Sequence, residues 1–225
     1  MRTCARNVFK ASVRSATAVL SVVLLASCTS GGSEAKIEHL CTVTPASEED
    51  VLLRGILRAD GFTTDINNRT SRVVEGLERD LREIDPAKQT LSTSMCAYQP
   101  TAQEGSERAR FEFGWVPRTS KDAEPSLSDG GRFEVNGAFG ESNYFLTKLL
   151  VRCDMPGDLA EPSESAWLYA KASYTVNTGR TDIDQAAKDR QTALAYLMTR
   201  RVTDALGCEN RPLEKPPVVK PLPAP

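Results

Sequence analysis

The 225-residue chain has one histidine, His39, six cysteines with no Cys-x-x-Cys pair among them, and no uninterrupted apolar run of membrane-spanning length. A His-rich metal site is therefore excluded, and a Ser–His–Asp or Cys–His enzyme would have to use His39, which stands at the start of the ordered region. Without a metal knuckle a four-cysteine zinc site has no starting point. No Gly-x-Gly-x-x-Gly, Walker-type or Gly-x-Ser-x-Gly stretch occurs. Ser33-Glu34-Ala35-Lys36 matches Ser-x-x-Lys, but the partner motifs of penicillin-recognising enzymes are missing. Asp65-Ile66-Asn67-Asn68 starts like a calcium loop, yet its sixth position is Thr70 and its twelfth Gly76, so neither the turn glycine nor the closing carboxylate is present.

A basic surplus is lacking too. The chain carries 28 basic and 30 acidic residues; four of the basic ones and none of the acidic lie before Cys28, which leaves 24 against 30 and a net charge of −6 beyond that point. An acidic surface holds phosphate backbones poorly, so no nucleic-acid partner is expected.

What is present begins with the leader. Arg2, Arg6, Lys10 and Arg14 precede an apolar stretch of about a dozen residues, short of the ~20 a spanning helix needs, ending in Leu25-Ala26-Ser27-Cys28. The stretch resembles the lipobox of bacterial lipoproteins. The resemblance implies a signal peptide over 1–27 and a mature N-terminus at Cys28. That cysteine would carry diacylglyceryl and N-acyl lipid, and with two or more chains the attachment to the outer face of the cell membrane is stable. The polar segment to residue 38 reads as a tether, residues 39–210 as a single extracytoplasmic domain, and the Pro-rich 211–225 as a disordered tail. In organisation the chain is similar to small surface lipoproteins of unknown function in high-GC Gram-positive bacteria.

Cys4 leaves with the leader, and Cys41, Cys96, Cys153 and Cys208 remain. An even number outside the cytoplasm implies two disulfides, with three connectivities open. Cys41–Cys96 with Cys153–Cys208 is the preferred set, because Cys208 follows the last helix closely enough to pin it to the strand carrying Cys153.

Hydrophobic periodicity places one helix from an N-cap at Ser47 to Gly61 and a second from about Thr70 to before Asp85-Pro86, with a turn at Asp65–Asn68 between them. Period-two patterns follow at Ser94–Tyr98, Phe111–Trp115, Phe133–Val135, Phe145–Cys153 and Ala166–Val176, with Gly137–Asn143 read as a turn. A long last helix, capped by Thr181-Asp182, stops at Gly207. The fold class is α+β: a mainly antiparallel sheet of about five strands, two N-terminal helices and one long C-terminal helix.

Trp115 reads as core, whereas Trp167 and Tyr169 fall on the more polar face of their strand and are the candidate ligand-binding pair. Paired carboxylates are the remaining route to hydrolysis, with Asp122, Glu124, Asp129, Glu134 and Glu141 near loops. Two functions are therefore carried forward. The first is a non-catalytic, lipid-anchored binding or accessory module, needing no cofactor, that contacts a cell-wall polymer, a small ligand or an envelope protein. The second is a cell-envelope hydrolase using carboxylates.

Overall fold

Ser47 starts the first helix as the sequence requires: its side chain accepts from the Asp50 amide, and Glu48, Glu49 and Asp50 place negative charge in the first turn of α1, Glu48–Leu57. The computed structural model in which this is seen describes residues 39–101, 108–124, 126–127, 130–175 and 184–223. The lipobox, Cys28, the tether, Asp129 and the expected cap Thr181-Asp182 lie outside them.

The helix does not run to Gly61. It ends at Leu57, where Arg58 takes a left-handed conformation (φ 53°) and returns its amide to the Arg54 carbonyl. The early stop frees the chain for β1, Phe62–Ile66, which occupies part of the expected turn. β1 is an edge strand with no buried face, so its sequence carries no alternation to betray it. Asn67 and Asn68 then bond Ser94 on the neighbouring strand, each at 2.7 Å. Helix α2, Thr70–Arg82, buries Val73, Leu77 and Leu81.

Seven further strands follow, so the sheet has eight strands rather than five: β2 (Thr93–Pro100), β3 (Ala109–Pro117), β4 (Gly131–Val135), β5 (Ala138–Ser142), β6 (Leu146–Val151), β7 (Ala166–Tyr174) and β8 (Val219–Pro221), with β2, β3, β4, β6 and β7 at the expected patterns. Their spatial order is β1-β2-β3-β7-β6-β5-β4-β8, with every neighbouring pair antiparallel. Two meanders, β1–β3 and β4–β7, meet along the nine-residue pairing of β3 with β7.

The unexpected β5 comes from one turn. Asn136 and Gly137 both have positive φ (47° and 85°), the two-residue geometry that reverses a hairpin and sets Val135 opposite Ala138. What reads as a turn over 137–143 is therefore two turn-forming residues followed by a strand. The core side of that strand is small, with Ala138, Gly140 and Ser142, and the Phe133 ring lies across Gly140. A Cβ there would meet the ring edge at 2.7 Å and collide with the Lys148 carbonyl. Gly140→Ala should cost about 1–3 kcal/mol, the range for overpacking. Chemical denaturation checks it, and an unchanged midpoint would show that the contact yields freely.

One face of the sheet is covered by helices. The 22-residue helix α4, Gln185–Leu206, is capped by Asp184, which accepts from the Ala187 amide at 2.8 Å, and ends as expected at Gly207 (φ 72°). Between this layer and the sheet lie Phe111, Phe113, Trp115, Leu149, Leu168 and Tyr174, each at most 1% exposed. Phe62, Tyr98, Phe111 and Tyr174 form a run of edge-to-face ring contacts at 5.7, 5.9 and 6.5 Å. Buried hydroxyls find partners: Tyr98 donates to the Cys41 carbonyl at 2.9 Å and Tyr174 to the Gln191 carbonyl at 2.8 Å. The short α3, Ala160–Glu164, precedes β7. Phe145, expected on the inner face of β6, precedes that strand, is 40% exposed and packs on the Tyr144 ring at 4.7 Å.

Cysteines pair as preferred, Cys41 with Cys96 and Cys153 with Cys208, at Cα separations of 5.9 and 5.1 Å. Two disulfides are consistent with an extracytoplasmic protein. Arg201 of α4 ties down the start of the domain: it pairs with Glu49 at 2.8 Å and donates to the Leu40 and Thr42 carbonyls. Burial works to raise the Glu49 pKa, but backbone hydrogen bonding and the Arg201 guanidinium outweigh it and hold the carboxyl below its ordinary value.

The tail departs from expectation. Leu213 is 3% exposed, Tyr196 donates to the Lys215 carbonyl and Asn136 to that of Pro216 (2.7 Å each), and β8 adds to the edge of β4. Proline does bar a helix or central strand, as the sequence indicates. An edge strand uses backbone groups on one side only, and Pro221 is tolerated there. Among the described residues no helix is long and apolar enough to cross a membrane.

Candidate functional site

Strand register dictates what the helix-free face of the sheet carries. Across β5, β6, β7 and β3 one row reads Phe139, Leu150, Tyr169, Gly114. Across β4, β5, β6, β7 and β3 the adjacent row reads Arg132, Glu141, Lys148, Lys171, Glu112. Opposite charges face each other at Arg132–Glu141, Glu141–Lys148 and Lys171–Glu112, while Lys148 faces Lys171, and two pairs close: Lys148 with Glu141 at 3.2 Å and Lys171 with Glu112 at 3.1 Å.

Two loops flank the apolar row. The first, after α2, crosses at Gly114, the one residue of β3 that lets a backbone lie this near; a Cβ would sit 2.9 Å from Thr90 Oγ1. Thr90 is locked there, its amide bonding the Trp115 carbonyl at 2.9 Å and its hydroxyl accepting from the Trp115 amide at 2.8 Å. The second loop, after β3, includes a single 3₁₀ turn, Lys121–Ala123. Glu141 anchors it by accepting from the Ser126 and Leu127 amides at 2.8 and 2.7 Å. The loops touch where the Gln89 amide meets Asp122 at 3.4 Å.

Beside the second loop lies a cavity of about 140 Å³. Phe139, Leu150 and Tyr169 supply its apolar surface, Arg132, Glu141 and Lys148 one wall, Asp122 and Glu124 the lip, and Leu222 of the tail a corner. Phe139 is 45% exposed, a large open apolar side chain on a strand that is paired on both sides.

Tyr169, expected at the surface, is only 5% exposed and belongs to this wall. Burial pushes its phenol up to about 12; a Gln89 hydrogen bond opposes the shift, and the nearby Glu112, Glu141 and Asp122 charges add to it. The hydroxyl is neutral at physiological pH, a hydrogen-bonding group rather than a base. Trp167, two residues earlier on the same face, is outside the lining. Its ring is roofed by the Arg118 guanidinium at 4.4 Å, and Arg118 also donates to the Ala166 carbonyl at 3.2 Å.

The candidate carboxylates are unevenly placed. Glu141 has both oxygens engaged by two amides and Lys148. Asp122 accepts from Ser120 Oγ and the Gln89 amide. Glu124 stands exposed at the lip, and Glu134 is half-buried on β4. His39 Nδ1 is buried with no hydrogen-bond partner among the described residues. No group of three or more His, Cys, Asp or Glu residues suited to a metal is found among the described residues.

The reading of the sequence reached Tyr169 but not Phe139, Leu150 or Arg132. Phe139 fell inside the supposed turn, and Leu150 read as part of a strand's polar side. The signal was the Asn136-Gly137 pair, which sets the phase of everything from 138 to 150. Comparison with protein-family models, with curated proteins and with solved structures finds no match to this chain.

Proposed function

We propose that the protein is a lipid-anchored cell-surface binding or accessory protein without catalytic activity, its lipid carried on Cys28 and its ligand taken in the cavity of the helix-free sheet face. The observation that carries this reading is the apolar floor of Phe139, Leu150 and Tyr169, with Phe139 open to solvent on the face opposite the described α-helices, beside a carboxylate whose bonding capacity is spent on structure. Ligand sites are typically concave and mostly apolar with a few placed polar groups, and this one has that composition. The disulfide-stapled domain and the lipobox resemblance support a place at the outer face of the membrane, where a wall polymer, a small ligand or another envelope protein is within reach. A hydrolase reading would need two carboxylates on opposite sides of the bound substrate, whereas Asp122, bonded by Ser120 and Gln89, and Glu124 stand together on one lip and Glu141 is engaged by loop amides and Lys148.

The test uses native protein purified from detergent-solubilised membranes, with mass spectrometry of the N-terminal peptide and of co-purifying small molecules. The expected result is an acylated Cys28 and a bound species that disappears in a Phe139→Asp variant of wild-type stability. An unmodified Cys28 in processed protein removes the anchor. A co-purifying species indifferent to Phe139→Asp removes the cavity.

A further inference from the structure

The charged row above the apolar floor is almost self-neutralising, and the exception is informative. Lys148 is paired with Glu141, and Lys171 with Glu112. Arg132, at the end of the row, has no ion-pair partner among the described residues, although Glu141 is its direct cross-strand neighbour. Glu141 is turned to the loop amides and Lys148 instead. The Arg132 backbone is fixed on both sides, by β5 and by the Leu222 amide, which bonds its carbonyl at 2.9 Å. Arg132, half-buried as a residue, thus lines the cavity with no ion-pair partner among the described residues.

The other uncommitted charges are the acids of the lip. Asp122 and Glu124 are exposed, where water and salt screen them. Arg132 lies beside apolar surface, where the local dielectric is lower and an ion pair is stronger. Arg132 is therefore the one cation of the lining whose charge no described acid neutralises. Its volume, about 140 Å³, suits a single aromatic ring or a short acyl segment.

We infer that the cavity takes a small anionic amphiphile, an organic acid whose apolar body lies on Phe139, Leu150 and Tyr169 and whose carboxylate pairs with Arg132. This rests on the binding reading given above and names the ligand class for it. The guanidinium presents a planar fork of donors that matches a carboxylate in two parallel hydrogen bonds, so it selects charge and shape together.

Phenylacetate and its neutral isostere phenylacetamide differ at the acid group alone, and both can be titrated by ligand-observed NMR against full-length protein in lipid nanodiscs, with empty nanodiscs as blank. Phenylacetate should bind the wild type about tenfold or more tighter than the amide, the scale of a charge-assisted hydrogen-bonded pair. Arg132→Gln should abolish that preference by weakening phenylacetate binding about tenfold, while Lys171→Gln, which touches a paired charge outside the lining, should leave the preference intact. Equal affinity for both probes, or a preference that survives Arg132→Gln, overturns the assignment of the anion to Arg132. Failure of both probes to bind overturns the cavity itself.

Discussion

Trp115→Ala should lower unfolding stability by about 3–5 kcal/mol, the range for removing a large buried aromatic side chain. Trp115 is 0% exposed at the centre of β3, against α2, and its indole N–H donates to the Leu77 carbonyl at 2.8 Å. The substitution leaves a void in a close-packed layer and deprives that carbonyl of its side-chain partner. Single domains have a total stability of about 5–15 kcal/mol, so this one change removes a large share of it. Trp115→Phe separates the two contributions: it retains much of the apolar contact and loses the hydrogen bond, a loss of about 1 kcal/mol. Urea unfolding followed by the remaining Trp167 and by far-ultraviolet dichroism measures both. A Trp115→Ala protein with the wild-type midpoint would mean that α2 does not pack on the sheet as described.

Loss of the disulfides should come next in size. Each closes a loop of 55 residues, worth about 4 kcal/mol in the loop-entropy account. For a domain of this length that corresponds to a fall in melting temperature of about 8–16 °C for each bridge removed. The two are not equivalent in their surroundings. Around Cys41 the chain is also held by the Tyr98 hydroxyl and by Arg201, so in the Cys41→Ala/Cys96→Ala protein native contacts still bring the N-terminal segment to β2 and α4. Around Cys208, the Glu209 amide bonds the Asp154 carbonyl at 2.8 Å, and Asn210 donates to the Arg152 carbonyl at 3.0 Å and accepts from the Asp154 amide at 3.1 Å. Scanning calorimetry of both double variants and of reduced wild type, with thiols counted, decides the matter. A melt that stays put after complete reduction would show that the crosslinks constrain little.

Several elements were open to inspection in the sequence because their signals are local. Ser47 with three acids after it marks a helix start, and Gly207 after the long apolar stripe marks a stop. Aromatics at 111, 113 and 115 reveal a strand with one buried face. Cysteine number and compartment gave the two bridges, and the pairing followed from where the last helix ends. Elements without an inner and outer face were not visible this way. β1 and β8 are sheet edges with exposed side chains, and β5 presents alanine, glycine and serine to the core, so none of the three alternates in hydrophobicity.

The cavity illustrates the same division more sharply. Tyr169 and Leu150 are 19 residues apart in the chain and direct neighbours in the sheet, and Phe139 joins them only because β5 turns back at Asn136-Gly137. The sequence by itself determined the class of fold, the even set of cysteines that forms the covalent staples and the negative sign of the net charge, since each depends on composition or on residues close in the chain. Only the tertiary structure decided which strands are neighbours, that the tail completes the sheet, and that Arg132 alone among the cations of its row keeps an unspent charge. Register is set by the packing of whole faces against helices, and no short window of sequence contains it.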